Sequence, residues 1–282
     1  MRIDARTQIY GIIGHPVLHS LSPAMQNAAF SALGMNAVYC AFDVRPGQLR
    51  GALEGIRALG IAGANVTIPH KEAVIQYLDG IRHGAKVIGA VNTVVNKNGK
   101  LIGYNTDSFG FLRSLGEDLG FEPRGKAAFI IGAGGAARSV AISLALKGAK
   151  RLFVTDVIDE KAMELACDVE LKTGCDCIGV EKRSFGAHEM LLNSHLLVNA
   201  TPCGMSEGDP PVLHPDFLHK GIRVFDLIYN RRTQLIADAR KRGLKAVGGR
   251  NMLLYQGAKA FELWTGTKAP VGAMRKALLK NV

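Results

Sequence analysis

Lys71 and Asp107 are the residues of this chain whose types and settings could move a proton. Lys71 ends "NVTIPHK" (65–71), just past an apolar, strand-like run, and Asp107 lies in "NTDSFGF" (105–111). Taken alone, a lysine there reads as an ordinary surface group. Held beside a carboxylate, its ammonium can protonate a ketone oxygen as negative charge builds on it, and take the proton back in the reverse direction. Such chemistry needs a source of hydride. "IIGAGGAAR" (130–138) follows an apolar strand and opens an apolar helix. Gly132 permits the tight turn, Gly134 lets the backbone approach a pyrophosphate, and Ala137 stands where a third glycine is often found. Free N–H groups at the helix start would face the phosphates. Many βα turns use glycine for geometry alone, but the flanking strand and helix favour a dinucleotide site.

The next strand-like run, "RLFVTD", ends in Asp156. It lies roughly the 20 residues beyond the first glycine at which an acid binds the ribose 2′-hydroxyl. The same charge repels a 2′-phosphate, so the chemistry of Asp156 favours NAD. Its structural alternative is a cap for the following helix. Arg138 and Lys161 are the cations near enough in sequence to be weighed as 2′-phosphate partners.

Short β-rich runs alternate with amphipathic helices, which implies an α/β protein with mainly parallel sheets. "QIYGIIG" (8–14) reads as a strand. "SPAMQNAAFSALG" (22–34) reads as a helix with Ser22 at the N-cap, Pro23 at the first helical position and Gly34 past its end. Met25, Ala28, Ala29, Ala32 and Leu33 supply its apolar stripe. Further strands are expected at 37–42 and 61–68, around a helix with Leu49, Ala52, Leu53, Ile56 and Leu59 on its buried side. Asn98-Gly99 within 92–105 signals a hairpin, expected at a sheet edge and closing a first domain near residue 107. A second αβ series follows, with strands at 151–156, 176–180, 195–200 and 222–228 and a helical segment from about residue 251.

The 282 residues suit one large or two medium domains. A hydrophobic content of 48% is enough for substantial cores. No apolar run approaches the roughly 18–20 residues that span a bilayer, and "MRIDARTQIYGIIGHP" lacks a continuous signal-type core, so residence in the cytoplasm is expected. Five scattered cysteines, with "CDC" at 175–177 lacking a two-residue spacer, imply reduced thiols, no disulfide and no metal site. The net charge of +11 is dispersed, with short clusters only at 230–232 and 240–242. That pattern fits attraction of small anionic ligands better than a nucleic-acid footprint.

Six motifs, "GHPVLHSLSP", "GANVTIPHKE", "GAVNTV", "GYNTD", "GAGGAAR" and "MLLYQGA", occur in this order along nearly the whole chain. Together they resemble the shikimate dehydrogenase family. The resemblance implies reversible reduction of 3-dehydroshikimate to shikimate with NADP, in the route to aromatic amino acids. It also implies two domains, a mainly parallel αβα substrate domain over 1–107 plus 250–282 and a Rossmann domain over 108–249, with the active site in the cleft between them. Carried over by position, Lys71 and Asp107 become the catalytic pair, Asp107 also touching a ring hydroxyl. Ser20 and Ser22 match the hydroxyls that bind the substrate carboxylate, and Thr67 and Asn92 match ring-hydroxyl ligands. Tyr229 and Gln256 match residues closing the pocket from its far side. Gly132, Ala133, Gly134, Gly135, Ala136, Asp156, Leu227 and Gly249 are the implied cofactor contacts. Asn105 reads as loop support. The family's Asn-Arg-Thr-like grip on the 2′-phosphate is replaced here by Asp156-Val157-Ile158, which leaves NADP or NAD open. An NAD-dependent quinate/shikimate dehydrogenase is therefore the alternative enzyme, and a non-catalytic nucleotide sensor the alternative of another class. The implied partners are a small-molecule substrate, no nucleic acid and no membrane, and a homodimer is left open.

Overall fold

The computed structural model describes residues 3–181 and 185–280. The chain forms two compact units, Met1–Gly110 with Leu254–Val282, and Phe111–Leu253. Both are α/β.

The first unit is built on β1 (Gln8–Gly14), α1 (Ser22–Ala32), β2 (Ala37–Asp43), α2 (Leu49–Ala58), β3 (Gly63–Val66), β4 (Gly80–Ile81), α3 (His83–Ile88), β5 (Thr93–Lys97) and β6 (Lys100–Tyr104). Its six-stranded sheet runs β2-β1-β3-β5-β6-β4. Pairings β1–β2, β1–β3 and β4–β6 are parallel, and β3–β5 and β5–β6 antiparallel. Asn98 (φ 53°) and Gly99 (φ 83°) turn the β5–β6 hairpin, as a two-residue primed turn requires. The hairpin is not the edge, however. The two-residue β4 pairs outside β6 and takes that place, too short to be legible as a strand.

Within α1 the buried stripe is Ser22, Met25, Gln26, Ala29 and Phe30, whereas Leu33 is exposed. The helix ends at Ala32, so the apolar residues beyond it have no helical face to join. Ser22 is the first helical residue, and Leu21 occupies the N-cap position without a side-chain cap. The capping hydroxyl is supplied from two residues before Ser22, since Ser20 Oγ accepts the Ser22 N–H at 3.2 Å. Between β3, β5 and α2 lies an apolar core that includes Ile13, Leu53, Ile56, Val66, Val94 and Leu101.

The second unit holds β7 (Ala127–Ile131), α5 (Gly135–Leu146), β8 (Arg151–Thr155), α6 (Asp159–Thr173), β9 (Asp176–Gly179), α7 (Phe185–Leu192), β10 (Leu196–Asn199), β11 (Arg223–Asp226), α8 (Gln234–Lys241) and β12 (Ala246–Gly248). All five strand pairings are parallel, in the order β9-β8-β7-β10-β11-β12. Numbered within the unit, that is 3-2-1-4-5-6, the doubly wound order whose direction reverses between β7 and β10. Two helices, α4 (Asp107–Glu117) and α9 (Arg250–Thr265), carry the chain from one unit to the other, and α10 (Val271–Lys280) completes the first. No helix among the described residues is long and apolar enough to cross a membrane.

Trp264 of α9 lies against β3 of the first unit. Its Nε1 donates to the Val94 carbonyl at 2.9 Å, and a Cβ on Gly63 would stand 2.4 Å from both Cδ1 and Nε1 of the indole. The pinned ring leaves no room for a methyl group. Gly63→Ala is expected to destabilise the protein by about 1–3 kcal/mol, the usual range for overpacking. The urea unfolding midpoint checks this, and an unchanged midpoint contradicts it.

Candidate active site

Three segments of the first unit meet at the end of β3. The first is the 67–71 loop. Thr67 N–H donates to the Ile13 carbonyl and His70 N–H to that of Thr67. The buried His70 ring, through Nε2, lies 2.6 Å from the Val44 carbonyl. That contact makes His70 an anchor for the loop. Lys71 itself is held at its carbonyl by Val91 N–H at 2.8 Å.

The second segment is the entry to α4. Asn105 Oδ1 accepts the Ser108 N–H, and Asn105 Nδ2 donates to the Ala90 carbonyl, a loop-supporting arrangement. Asp107 opens α4, where the helix dipole favours a negative charge. Lys71 Nζ lies 2.6 Å from Asp107 Oδ2, the two side chains being 14% and 8% exposed.

The third segment is the start of β5, with Gln256 of α9 beside it. Asn92 is 3% exposed. Its Nδ2 donates to Asp107 Oδ1 at 2.8 Å and contacts Gln256 Oε1 at 3.2 Å. Its Oδ1 accepts Thr106 N–H at 2.7 Å. A backbone N–H can only donate, so this bond decides which end of the Asn92 amide faces Asp107. Lys71, Asp107, Asn92 and Gln256 are thus bonded into one cluster. Ser20 and Ser22 are joined to each other at the start of α1, Ser20 partly exposed and Ser22 buried. Thr67 is partly exposed on the Lys71 loop.

Sequence reasoning passed over the buried hydroxyls and amides behind these groups. Thr106 Oγ1 lies 3.1 Å from Thr93 Oγ1 and 3.3 Å from Gln256 Oε1. Asn65 donates to the Asn92 carbonyl and to Thr93 Oγ1, and accepts from Tyr39. Asn65, Thr93 and Thr106 sit within the six motifs, so the available signal was several polar residues in runs that otherwise read as buried strand.

In the second unit the glycine turn takes the shape its residues permit. Gly132 has φ +109°, and a Cβ on it would meet the Ala200 backbone at 3.0 Å. Gly134 is the N-cap of α5 and has open space where a side chain would stand. The first-turn amides of α5, those of Gly135, Ala136 and Ala137, lack intrahelical acceptors by position. An open cradle over such donors fits a dinucleotide pyrophosphate.

Both Asp156 oxygens are engaged with backbone. Oδ2 accepts Ala133 N–H at 2.7 Å and Oδ1 accepts Ile158 N–H at 3.0 Å. Asp156 therefore braces the glycine turn as well as the approach to α6. The Arg138 guanidinium is tied to Asp168, which also accepts from Lys172, so Arg138 points its charge into a helix-to-helix ion network. Val157 is 74% exposed and offers no cation.

On the same carboxyl edge of the sheet, just past β11 and β12, Leu227 N–H donates to the Asn199 carbonyl and Gly249 N–H to that of Ile228. A Cβ on Gly249 would stand 2.0 Å from the Leu227 carbonyl oxygen. Burial raises the Tyr229 phenol above its ordinary pKa, so the ring keeps its proton at neutral pH. All five cysteines are free thiols, and burial pushes Cys177 up to about 12. No cluster of metal-ligating side chains occurs among the described residues.

Residues 12–94 match the family model described as shikimate dehydrogenase substrate binding domain, and 249–279 that described as shikimate 5′-dehydrogenase C-terminal domain. The chain is 49% identical to a shikimate dehydrogenase (NADP(+)) of Methanopyrus kandleri, over 99% of this chain and 98% of that one. Among solved structures, a shikimate dehydrogenase in complex with NADP+ superposes with a TM-score of 0.91 at 40% identity, covering 100% of this chain and 98% of its own. A Listeria monocytogenes shikimate 5-dehydrogenase in complex with shikimate and NAD gives 0.89 at 36% identity, covering 99% and 98%.

One buried acid in the second unit invites a pH test. Asp226 accepts from Asn199 Nδ2, Ile228 N–H and Thr233 Oγ1, yet burial outweighs these bonds and raises its pKa. A carboxyl whose folded pKa lies above its unfolded one stabilises the fold fully at low pH, and that contribution is lost as pH rises through the folded value. The stability advantage of the wild type over Asp226→Asn is accordingly expected to be full below the ordinary carboxylate range and to shrink as pH rises above it. Urea unfolding across that range reads it, and a difference that grows with pH contradicts the assignment.

Proposed function

The chain belongs to the shikimate dehydrogenase family, and from that premise we propose that it interconverts 3-dehydroshikimate and shikimate, serving the formation of aromatic amino acids. The observation that carries this reading is the short, shielded contact between Lys71 Nζ and Asp107 Oδ2. Held over Gly132 to Ala136, Leu227 and Gly249, a reduced nicotinamide would supply the hydride for the carbonyl carbon. The Lys71 ammonium gives its proton to the carbonyl oxygen as the C=O π electrons move onto it, and is afterwards reprotonated from solvent. In the reverse direction the neutral amine takes the hydroxyl proton. Asp107 orients the ammonium and accepts a ring hydroxyl. Ser20 donates to the substrate carboxylate and Ser22 completes that end, while Thr67, Asn92, Gln256 and Tyr229 take the remaining hydroxyls and walls.

Quinate carries an additional hydroxyl on the carbon that bears its carboxylate, and would need room beside Ser20 and Ser22. Both serines are present, which favours shikimate.

For the cofactor, Gly132 to Ala136, Leu227 and Gly249 form the cradle. Kinship points to NADP(H). Asp156 places a negative charge where a 2′-phosphate would come, and neither Val157 nor the tethered Arg138 offsets it, so NAD(H) is admitted as well.

Two outcomes are expected. Lys71→Ala lowers kcat by about 10²–10⁴, the usual share of general acid–base catalysis, with substrate affinity within a few-fold. A near-normal kcat in steady-state shikimate oxidation removes Lys71 from the mechanism. Asp156→Asn raises the NADP/NAD ratio of kcat/KM by roughly tenfold, equivalent to about 1.4 kcal/mol of relieved repulsion. An unchanged ratio reduces Asp156 to a backbone brace.

A further inference from the structure

Behind the Lys71–Asp107 pair runs a buried chain of hydrogen bonds whose direction is forced at Tyr39 and Asn65. Asn65, 4% exposed, donates from Nδ2 to the Asn92 carbonyl at 3.1 Å. A carbonyl can only accept, so the amide orientation of Asn65 is settled and its Oδ1 faces Tyr39. Tyr39 Oη, 2.7 Å away, must then be the donor. The same Asn65 Nδ2 reaches Thr93 Oγ1 at 3.1 Å. Thr93 accepts there, and its own proton is left for Asn92 Oδ1 at 3.2 Å or Thr106 Oγ1 at 3.1 Å. With its oxygen occupied by such donors, Asn92 turns its N–H₂ to Asp107.

We propose that Tyr39 is a positioning residue for the Lys71–Asp107 pair, acting through Asn65, Thr93 and Asn92. It does not touch the pair. Its ring is buried at 2% exposure and packs against Trp264, with centroids 5.9 Å apart, so deleting the hydroxyl need not disturb the packing. Burial holds the phenol well above its ordinary pKa, with a Ser22 hydrogen bond opposing the rise, so the proton at the head of the chain is always present. Without it, Asn65 Oδ1 becomes a buried acceptor with no donor, a state costly enough to drive rearrangement. The relief open to Asn65 is to rotate its amide, which breaks its bonds to Asn92 and Thr93 and loosens the Asp107 partner.

The inference rests on the proposed reaction for its kinetic readout, and a second readout is independent of it. Tyr39→Phe is expected to lower kcat for shikimate oxidation about tenfold and, because its hydroxyl also bonds Ser22 at the proposed carboxylate end, to raise KM as well. Thr93→Val, which breaks the chain further on, should act in the same direction. The double variant should be no slower than the slower single one, because both sever the same chain. Effects that multiply, or a Tyr39→Phe enzyme with a normal kcat, overturn the proposal. So does a loss confined to KM or to melting temperature. The Asn92 side-chain N–H₂ protons, followed by ¹⁵N NMR, should exchange with solvent at least tenfold faster in Tyr39→Phe than in the wild type, and unchanged exchange rejects the chain. That measurement needs no turnover. A wild type inactive on shikimate would defeat the proposed reaction, with the positioning role still decided by the exchange rates.

Discussion

An ammonium and a carboxylate largely withdrawn from water, 2.6 Å apart, are the constraint around which the first unit is organised. Bringing both charges out of solvent costs several kcal/mol each, and their attraction repays this only when further hydrogen bonds satisfy the remaining oxygens. The surrounding structure supplies those bonds. Asn92 reaches the second carboxylate oxygen, the α4 dipole lies at Asp107, and His70 and Val91 hold the loop that presents Lys71. Replacing such a pair with apolar residues is often neutral or stabilising, so stability is a weak reason for its presence. Proton transfer is the better one.

The cofactor side follows a different physical logic. Its machinery is backbone: a turn that only glycine can take at Gly132, an open approach at Gly134 and the unsatisfied amides of a helix start. Asp156 has two consequences there, because one carboxylate both accepts the Ala133 and Ile158 amides and sets the local charge. Geometry and selectivity are coupled in a single side chain. Arg138 is withdrawn from the question by its bond to Asp168.

Beside the apolar core of the first unit, polar side chains gather in and next to the paired strands β3 and β5. Asn65, Asn92, Thr93 and Thr106 are all nearly inaccessible, and each finds partners among the others. In surroundings of low dielectric a satisfied network is stiff, whereas a half-satisfied one is unstable. Such an arrangement suits a site where an angstrom of drift is costly to the reaction.

Much of the architecture was legible from local chemistry. The glycine turn, the 3.6-residue stripes, the Asn98-Gly99 hairpin and the order of the strand–helix series are each decided by neighbours in sequence, and six motifs pointed to Lys71, Asp107 and their companions. Local pattern erred where neighbours in space intervene. It set the N-cap on Ser22 when Ser20 supplies the hydroxyl, and it overlooked β4, whose two residues become a strand only because β6 is there to pair with. Residue types and their spacing settle which side chains could carry charge and protons and roughly which elements bear them. It takes the folded chain to show that Asn92 gives Asp107 its N–H₂ end, that Asp156 faces the Ala133 amide and that Tyr39 heads a hydrogen-bond chain. Hydrogen-bond direction and burial depend on atoms brought together from segments tens of residues apart, and spacing along the chain carries no record of them.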